Sequence, residues 1–383
     1  MSISGTSSGG FSSAGGFVPP PYPYDRLNEL KAVAQAHDGG MVDLSIGTPF
    51  DPPPESVLAA LAASGTERSY PPSIGTPAFR EAAAGWLNRL VGSNVEADDV
   101  RATIGSKEFV AGLPYWLKLR SPNLDTVLYP AISYPSYEMG ATLAGCRAVP
   151  VPVDDEWRLD LSAIDPGDAA RALCLWVNSP GNPAGGLDDL GAAYRWGQDN
   201  NVLVASDECY AAFTWEGEPQ SIVSHGLEGV LAVHSLSKRS NLAGARSGFY
   251  VGDPDIVGYL GELRKHTGHM QPGPVQAAAV AAFEDEGHVE IQREIYYKRL
   301  ELMQRIVSKA GSEAKMPGGG FYLWAPAPDG DAWAFARRLA TDAGVLVSPG
   351  EFYGKRGAGH VRIALVQPDD RLGLAAARMG IAI

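Results

Sequence analysis

Two neighbouring stretches decide how this chain folds: Val202-Leu-Val-Ala-Ser-Asp-Glu-Cys-Tyr210 and Leu231-Ala-Val-His-Ser-Leu-Ser-Lys238. Each opens as a short apolar run rich in β-branched residues and stops abruptly in polar ones. Apolar residues fill consecutive positions, so both faces of each run are apolar. That is the pattern of a strand buried between two layers.

The same signature recurs outward in both directions, at 100–104, 126–129, 148–153, 172–177 and 247–251. Helical patterns lie between many of these runs. Residues 106–117 place Phe109, Val110, Leu113 and Leu117 on one side, and 187–200 carry Leu190, Tyr194 and Trp196. The alternation predicts an α/β fold with a mainly parallel, doubly wound sheet in a large domain over 48–285. In such a sheet a ligand sits beyond the carboxyl ends of the strands. A long helical region at 274–310 follows, then strands at 320–325, 345–348 and 361–365 and a helix at 333–343. The region 286–383 therefore reads as a smaller α+β domain. At the other end, residues 1–17 are mostly Ser, Gly and Ala, a composition expected to form a disordered tail. Prolines 19–21 and 23 exclude a helix there. Residues 18–47 are expected to form an extended arm and a helix over 25–36, N-capped by Asp25 and attached to the small domain.

Composition narrows the function. The 383 residues hold 44 acidic and 31 basic side chains, a formal charge of −13, which disfavours a nucleic-acid or anionic-membrane partner. Only Cys146, Cys174 and Cys209 occur, with no CxxC pattern and no disulfide framework, so a cytoplasmic location is expected and no metal.

The informative residues stand where strands end. Asp207 and Tyr210 follow one run; Ser235, Ser237 and Lys238 follow the next. Asn182 lies in Asn178-Ser-Pro-Gly-Asn-Pro183, Arg246 in Gly244-Ala-Arg-Ser-Gly248, and Gly105-Ser106-Lys107 opens a helix. Taken singly, each has an ordinary explanation: a helix cap, a solvated lysine, a turn. Together they offer a lysine nucleophile, a carboxylate, an anion-binding arginine and a helix N-terminus suited to phosphate. That inventory suits pyridoxal phosphate.

At these residues the sequence resembles the class I/II, fold-type I aminotransferases. Ser235-Leu-Ser-Lys238 with Gly244-Ala-Arg-Ser-Gly248 is similar to the family's cofactor-lysine signature, and Asp207-Glu-Cys-Tyr210 precedes the lysine at the family's spacing. Asn178–Pro183 is similar to its Asn-Pro-x-Asn-Pro stretch, departing at Ala184 where Thr is usual. Tyr70 with Gly75, Pro77 and Arg80, and Arg362 in His360-Val-Arg-Ile-Ala-Leu365, complete the match. Finer features, among them Asp43–Pro49, Trp215, Phe321–Trp324 and Pro349–Gly354, resemble the actinobacterial-type N-succinyl-diaminopimelate aminotransferases.

The resemblance implies a ping-pong transfer between N-succinyl-L,L-2,6-diaminopimelate and 2-oxoglutarate. Lys238 is then the cofactor-bound base, Asp207 the partner of the ring nitrogen, and Tyr210 and Asn182 donors to the phenolic oxygen. Arg246, Ser235, Ser237 and the amides of Ser106 and Lys107 hold the phosphate, and Tyr134 stacks on the ring. Arg362 clamps the substrate α-carboxylate beside Gly47 and Asn182. Tyr70 reaches the phosphate of the partner in a homodimer with shared sites. Alternatives on the same scaffold are an aspartate or aromatic aminotransferase, a pyridoxal-phosphate-dependent carbon–sulfur lyase or decarboxylating synthase, and a non-catalytic sensor domain.

Overall fold

The computed structural model describes residues 17–21 and 23–382; residues 1–16 of the expected tail at 1–17, and Tyr22 in the arm, lie outside the described residues. After a short strand β1 (Val42–Asp43), seven strands form one sheet: β2 (Val100–Thr103), β3 (Thr126–Pro130), β4 (Arg147–Val151), β5 (Ala172–Asn178), β6 (Leu203–Asp207), β7 (Val230–Ser235) and β8 (Gly248–Gly252). Their order is β2-β8-β7-β6-β5-β3-β4. The five strands from β4 to β7 pair in parallel, and β8 runs antiparallel to both its neighbours.

Side-chain alternation explains why these strands are apolar at every position. Leu175 and Val177 of β5 point into one core with Phe79, Val204, Phe249 and Phe283. Cys174 and Trp176, one residue out of phase, point into another with Phe109, Leu113, Val233 and Tyr250. A period of two sends neighbours to opposite faces, and both faces are covered.

The direction of β8 matters for the site. Between β7 and β8 lie only a four-residue helical turn, Leu236–Arg239, and a 3-10 turn, Ala243–Ala245. Returning along a five-residue strand, roughly 17 Å, takes about eleven residues of helix. The chain has no such helix here and doubles back, so β8 begins at the edge where β5, β6 and β7 end.

A third core joins Leu27, Leu30, Val42 and Leu44 to Leu300, Met303, Leu323, Phe335, Val361 and Leu372. Here β9 (Tyr322–Pro326), β10 (Val345–Leu346), β11 (Ser348–Pro349) and β12 (His360–Ala364) complete the strands. Strands β11-β12-β9 form an antiparallel sheet, and β10 pairs in parallel with β1. The single strand expected at 345–348 is thus two, because Val347 passes the chain from one sheet to the other. Three helix boundaries also differ from expectation. Pro23 opens a 3-10 turn through Leu27, so Asp25 falls inside it and caps nothing, and the α-helix runs Asn28–Gln35. The helix expected from 187 starts at Leu190, because Asp189 caps it by accepting Ala192 N at 2.8 Å. The region 274–310 is two helices, Gly273–Glu284 and Gly287–Lys309, parted where Asp285 turns extended. Among the described residues no helix is long and apolar enough to cross a membrane.

Candidate active site

The ends of β5, β6 and β7, the approach to β8 and the start of helix Ser106–Arg120 converge on a cavity of about 230 Å³. One wall comes from the large sheet; the other comes from Tyr24, Ile46, Gly47, Thr48, Tyr322 and Arg362.

Lys238 stands on the turn after β7. Ser235 caps that turn by accepting the Ser237 amide at 3.1 Å, which fixes where the lysine stem leaves the backbone. The ammonium donates to the Gly47 carbonyl. Burial pushes its pKa down to about 8; Arg362 and Arg246 act in the same sense, and Cys209 and Asp207 oppose them. A lysine so shifted holds an appreciable neutral fraction near pH 7, as a nucleophile must.

Asp207 is the last residue of β6, in register with Asn178, the last of β5. The Asn178 amide donates to the Asp207 carbonyl at 2.8 Å, and Asn178 Oδ1 accepts the Asn182 N–H at 2.8 Å. The Asp207 carboxylate accepts from Tyr137 Oη at 2.9 Å and from the Cys209 amide at 3.3 Å. Burial raises its pKa, and hydrogen bonds from the Cys209 side chain, Tyr137 and the Cys209 amide work against the rise. The Tyr210 hydroxyl pairs with that of Tyr322 at 2.8 Å.

Arg246 occupies the left-handed region at φ 59° and donates to Ala243 O at 2.8 Å. Its guanidinium lies against Gly105, where a side-chain carbon would collide with it; Gly105 itself has φ +70°. The positive φ favours glycine here, and the turn opens helix Ser106–Arg120 in the cavity that Arg246 also lines. Among the described residues no carboxylate pairs with Arg246.

Arg362 sits in mid-β12, only 2 % exposed. Nη1 donates to Asn182 Oδ1 at 3.0 Å; Nη2 donates to Ser45 O at 2.7 Å and to Tyr24 Oη at 3.3 Å. The rings of Tyr322 and Tyr353 lie 4.4 and 4.6 Å from its guanidinium carbon. Nε has no partner, and again no carboxylate among the described residues pairs with the group. A buried guanidinium calls for an anion. The cavity thus holds two guanidinium groups and an amine, an inventory for a ligand with two anionic groups and a carbonyl.

The remaining expected residues fall as follows. Ser106, Lys107, Tyr134, Asn182, Ser235, Ser237 and Gly47 all line the cavity, with Lys107 Nζ 5.5 Å from the Tyr134 ring. Tyr70 does not: its side chain is 95 % exposed. Arg246 precedes β8, as expected of an arginine entering the strand at 247–251, and the reversal of that strand brings it to this edge. Tyr24, Tyr137, Asn178, Cys209 and Tyr322 line the cavity without having been singled out for it. Tyr137 follows Tyr134 by three residues, a spacing that could have flagged it; Tyr24 and Tyr322 carry no such local signal.

The residues present fit pyridoxal phosphate. Two serines, a helix N-terminus and Arg246 suit its phosphate, the shifted amine its aldehyde, and the buried carboxylate a protonated ring nitrogen.

Comparison with known proteins agrees. The family model for aminotransferase class I and II matches residues 39–378. A 4-dedimethylamino-4-oxo-anhydrotetracycline transaminase from Streptomyces rimosus is 41 % identical over 368 residues, covering 94 % of this chain and 99 % of that one. An LL-diaminopimelate aminotransferase from Aquifex aeolicus is 34 % identical over 376 residues, covering 94 % and 96 %. Among solved structures, a probable N-succinyldiaminopimelate aminotransferase from Thermus thermophilus superposes with a TM-score of 0.83 at 32 % identity, covering 94 % and 99 %.

Proposed function

The chain belongs to the class I and II aminotransferases and uses pyridoxal phosphate, and from that premise we propose that it moves an amino group between N-succinyl-L,L-2,6-diaminopimelate and the glutamate/2-oxoglutarate pair, as a cytoplasmic homodimer. The observation that carries the amino-acid reading is Arg362, buried between two tyrosine rings and open to a carboxylate. What supports the diaminopimelate end is the pair of similar proteins from Aquifex aeolicus and Thermus thermophilus.

The cofactor, when bound, supplies an aldehyde that accepts the amino group and a ring that accepts electrons. Lys238 holds the cofactor and, once released, carries a proton as base and then acid. Asp207 keeps the ring nitrogen protonated. Tyr210 and Asn182 donate to the phenolic oxygen, and Tyr134 covers the ring. Arg246, Ser235, Ser237 and the amides of Ser106 and Lys107 bind the phosphate, joined by Tyr70 from the other subunit. Arg362, beside Gly47 and Asn182, orients the α-carboxylate of both the amino and the keto substrate.

A donor panel tests the substrate. With 2-oxoglutarate as acceptor, glutamate should form faster from N-succinyl-diaminopimelate than from LL-diaminopimelate, aspartate or phenylalanine. Equal efficiency with aspartate or phenylalanine would sink the proposed donor. A second reading, a polycyclic ketone as amino acceptor, is favoured by the 41 % identity to the Streptomyces rimosus transaminase. Adding such a ketone to the panel decides between them.

A further inference from the structure

Asp207 is the group whose charge the proposed chemistry depends on. Tyr137, on helix Ser136–Leu143, donates to Oδ2 at 2.9 Å. The Cys209 amide reaches Oδ1 at 3.3 Å. On β7, Val233 is the residue in register with Asp207; His234, one residue on, points to the other face of the sheet, where it lies 3.3 Å from the Glu208 carboxylate, and Lys238 lines the same cavity as Asp207. Two side chains donate to the carboxylate, the Cys209 thiol and the Tyr137 hydroxyl, and the hydroxyl is the stronger donor of the two. Tyr137 has no solvent exposure, and its ring stacks on Trp176 at 5.2 Å, so the phenol has one place to point.

We propose that Tyr137 is the positioning residue of the electron sink: its hydroxyl orients the Asp207 carboxylate and keeps it a weak enough base that a shared proton stays on the ring nitrogen. The proposal rests on the reading of Asp207 as the partner of that nitrogen. The physical reason is a competition. Burial makes the carboxylate more basic. A carboxylate that is too basic takes the proton for itself, and a neutral ring is the poorer electron acceptor. A hydrogen bond donated to the ionised form opposes that drift, and hydrogen bonds to charged groups are the stronger kind. Tyr137 adds one that no backbone group replaces.

The test is a double-mutant cycle with Tyr137→Phe and Asp207→Asn, read in two ways: the dissociation constant of pyridoxal phosphate from the cofactor-free protein, by tryptophan fluorescence, and kcat against KM for the amino donor. Phenylalanine keeps the ring on Trp176 and removes only the hydroxyl. Tyr137→Phe should weaken cofactor binding and lower kcat, each by about tenfold, with KM for the donor changed less than twofold. Asp207→Asn should cost about a hundredfold or more in kcat. In the Asp207→Asn background the Tyr137→Phe change should add less than twofold, because its target is gone. If Tyr137→Phe cost the same factor in both backgrounds, the hydroxyl would be acting on packing alone and the proposal would fail. A silent Tyr137→Phe beside a damaging Asp207→Asn would overturn Tyr137 and leave Asp207 standing. A silent Asp207→Asn would overturn both. Tyr137→Leu, which removes the stacked ring as well, separates packing loss from hydroxyl loss if the phenylalanine variant loses stability; a drop no greater than that of phenylalanine in cofactor affinity again supports the hydroxyl, and a much greater one counts against it.

Discussion

Replacing Arg362 with alanine should damage the handling of one functional group and leave the resting enzyme intact. Three of the five guanidinium N–H donors go to Asn182, Ser45 and Tyr24, which leaves two among the described residues for a ligand. The group is 2 % exposed, so a carboxylate meeting it is desolvated too. Losing one partner of such a pair costs about 2–5 kcal/mol, or roughly 30-fold to 4,000-fold in kcat/KM. The assay compares glutamate with 4-aminobutyrate, which lacks the α-carboxylate, in wild type and Arg362→Ala. Glutamate should lose the full factor, and KM for 2-oxoglutarate should rise with it, since both substrates present the same carboxylate. The decarboxylated amine should change less than about threefold, and the absorbance of the bound cofactor should not move. Arg362→Lys keeps a charged stem between Tyr322 and Tyr353 and should fall between the two. Equal losses for both amines would show that Arg362 acts on the fold, and the proposed substrate orientation would be wrong.

Borohydride reduction of the holoenzyme should place the pyridoxyl label on the peptide bearing Lys238; a label on Lys107 or Lys265 refutes the assignment. With a folded pKa of about 8 against an unfolded value near 10.5, Lys238 costs the cofactor-free protein stability at low pH, and that cost falls as pH rises through the window where the unfolded chain binds a proton that the folded one does not. The penalty is full below pH 8 and gone above about 10.5, so Lys238→Met should stabilise the cofactor-free fold at pH 7 by up to about 3 kcal/mol, and a Tm gain that failed to shrink from pH 8 to 10.5 would contradict the shift. Gly105→Ala meets a positive φ and the Arg246 guanidinium at once; with ~1–3 kcal/mol of strain to relieve, the Kd for pyridoxal phosphate should rise about tenfold while Lys238 labelling persists at saturation. Unchanged cofactor affinity would mean that Arg246 does not bind the phosphate.

Much of the fold was legible because burial on both faces leaves a local trace. A strand such as Ala172–Asn178, apolar at every position, has to lie between two layers whatever the rest of the chain does. The polar residues that interrupt such runs, Asp207 and Ser235, were legible for the same reason, since a strand's carboxyl end is where the apolar constraint lifts. Helix boundaries were less so. Asp25 and Asp189 are the same residue type in similar settings, yet only Asp189 caps a helix, because Pro23 had already turned the chain at the other site.

The sequence by itself settled the alternation of buried strands and helices, the class of the sheet and the chemical inventory at the strand ends, because those properties depend on periods of two and 3.6 within short windows. Only the tertiary structure decided which members of that inventory meet. Strand β8 reverses, and so Arg246, placed before a strand, shares an edge with residues placed after three others. Arg362 finds Asn182 across 180 positions and Tyr24 across 338, and Tyr137 finds Asp207 across 70. No local pattern encodes those pairings. They follow from how separate cores close on one another, which brings a tyrosine of the N-terminal arm, an arginine of the last strand and a lysine of the central sheet to one cavity.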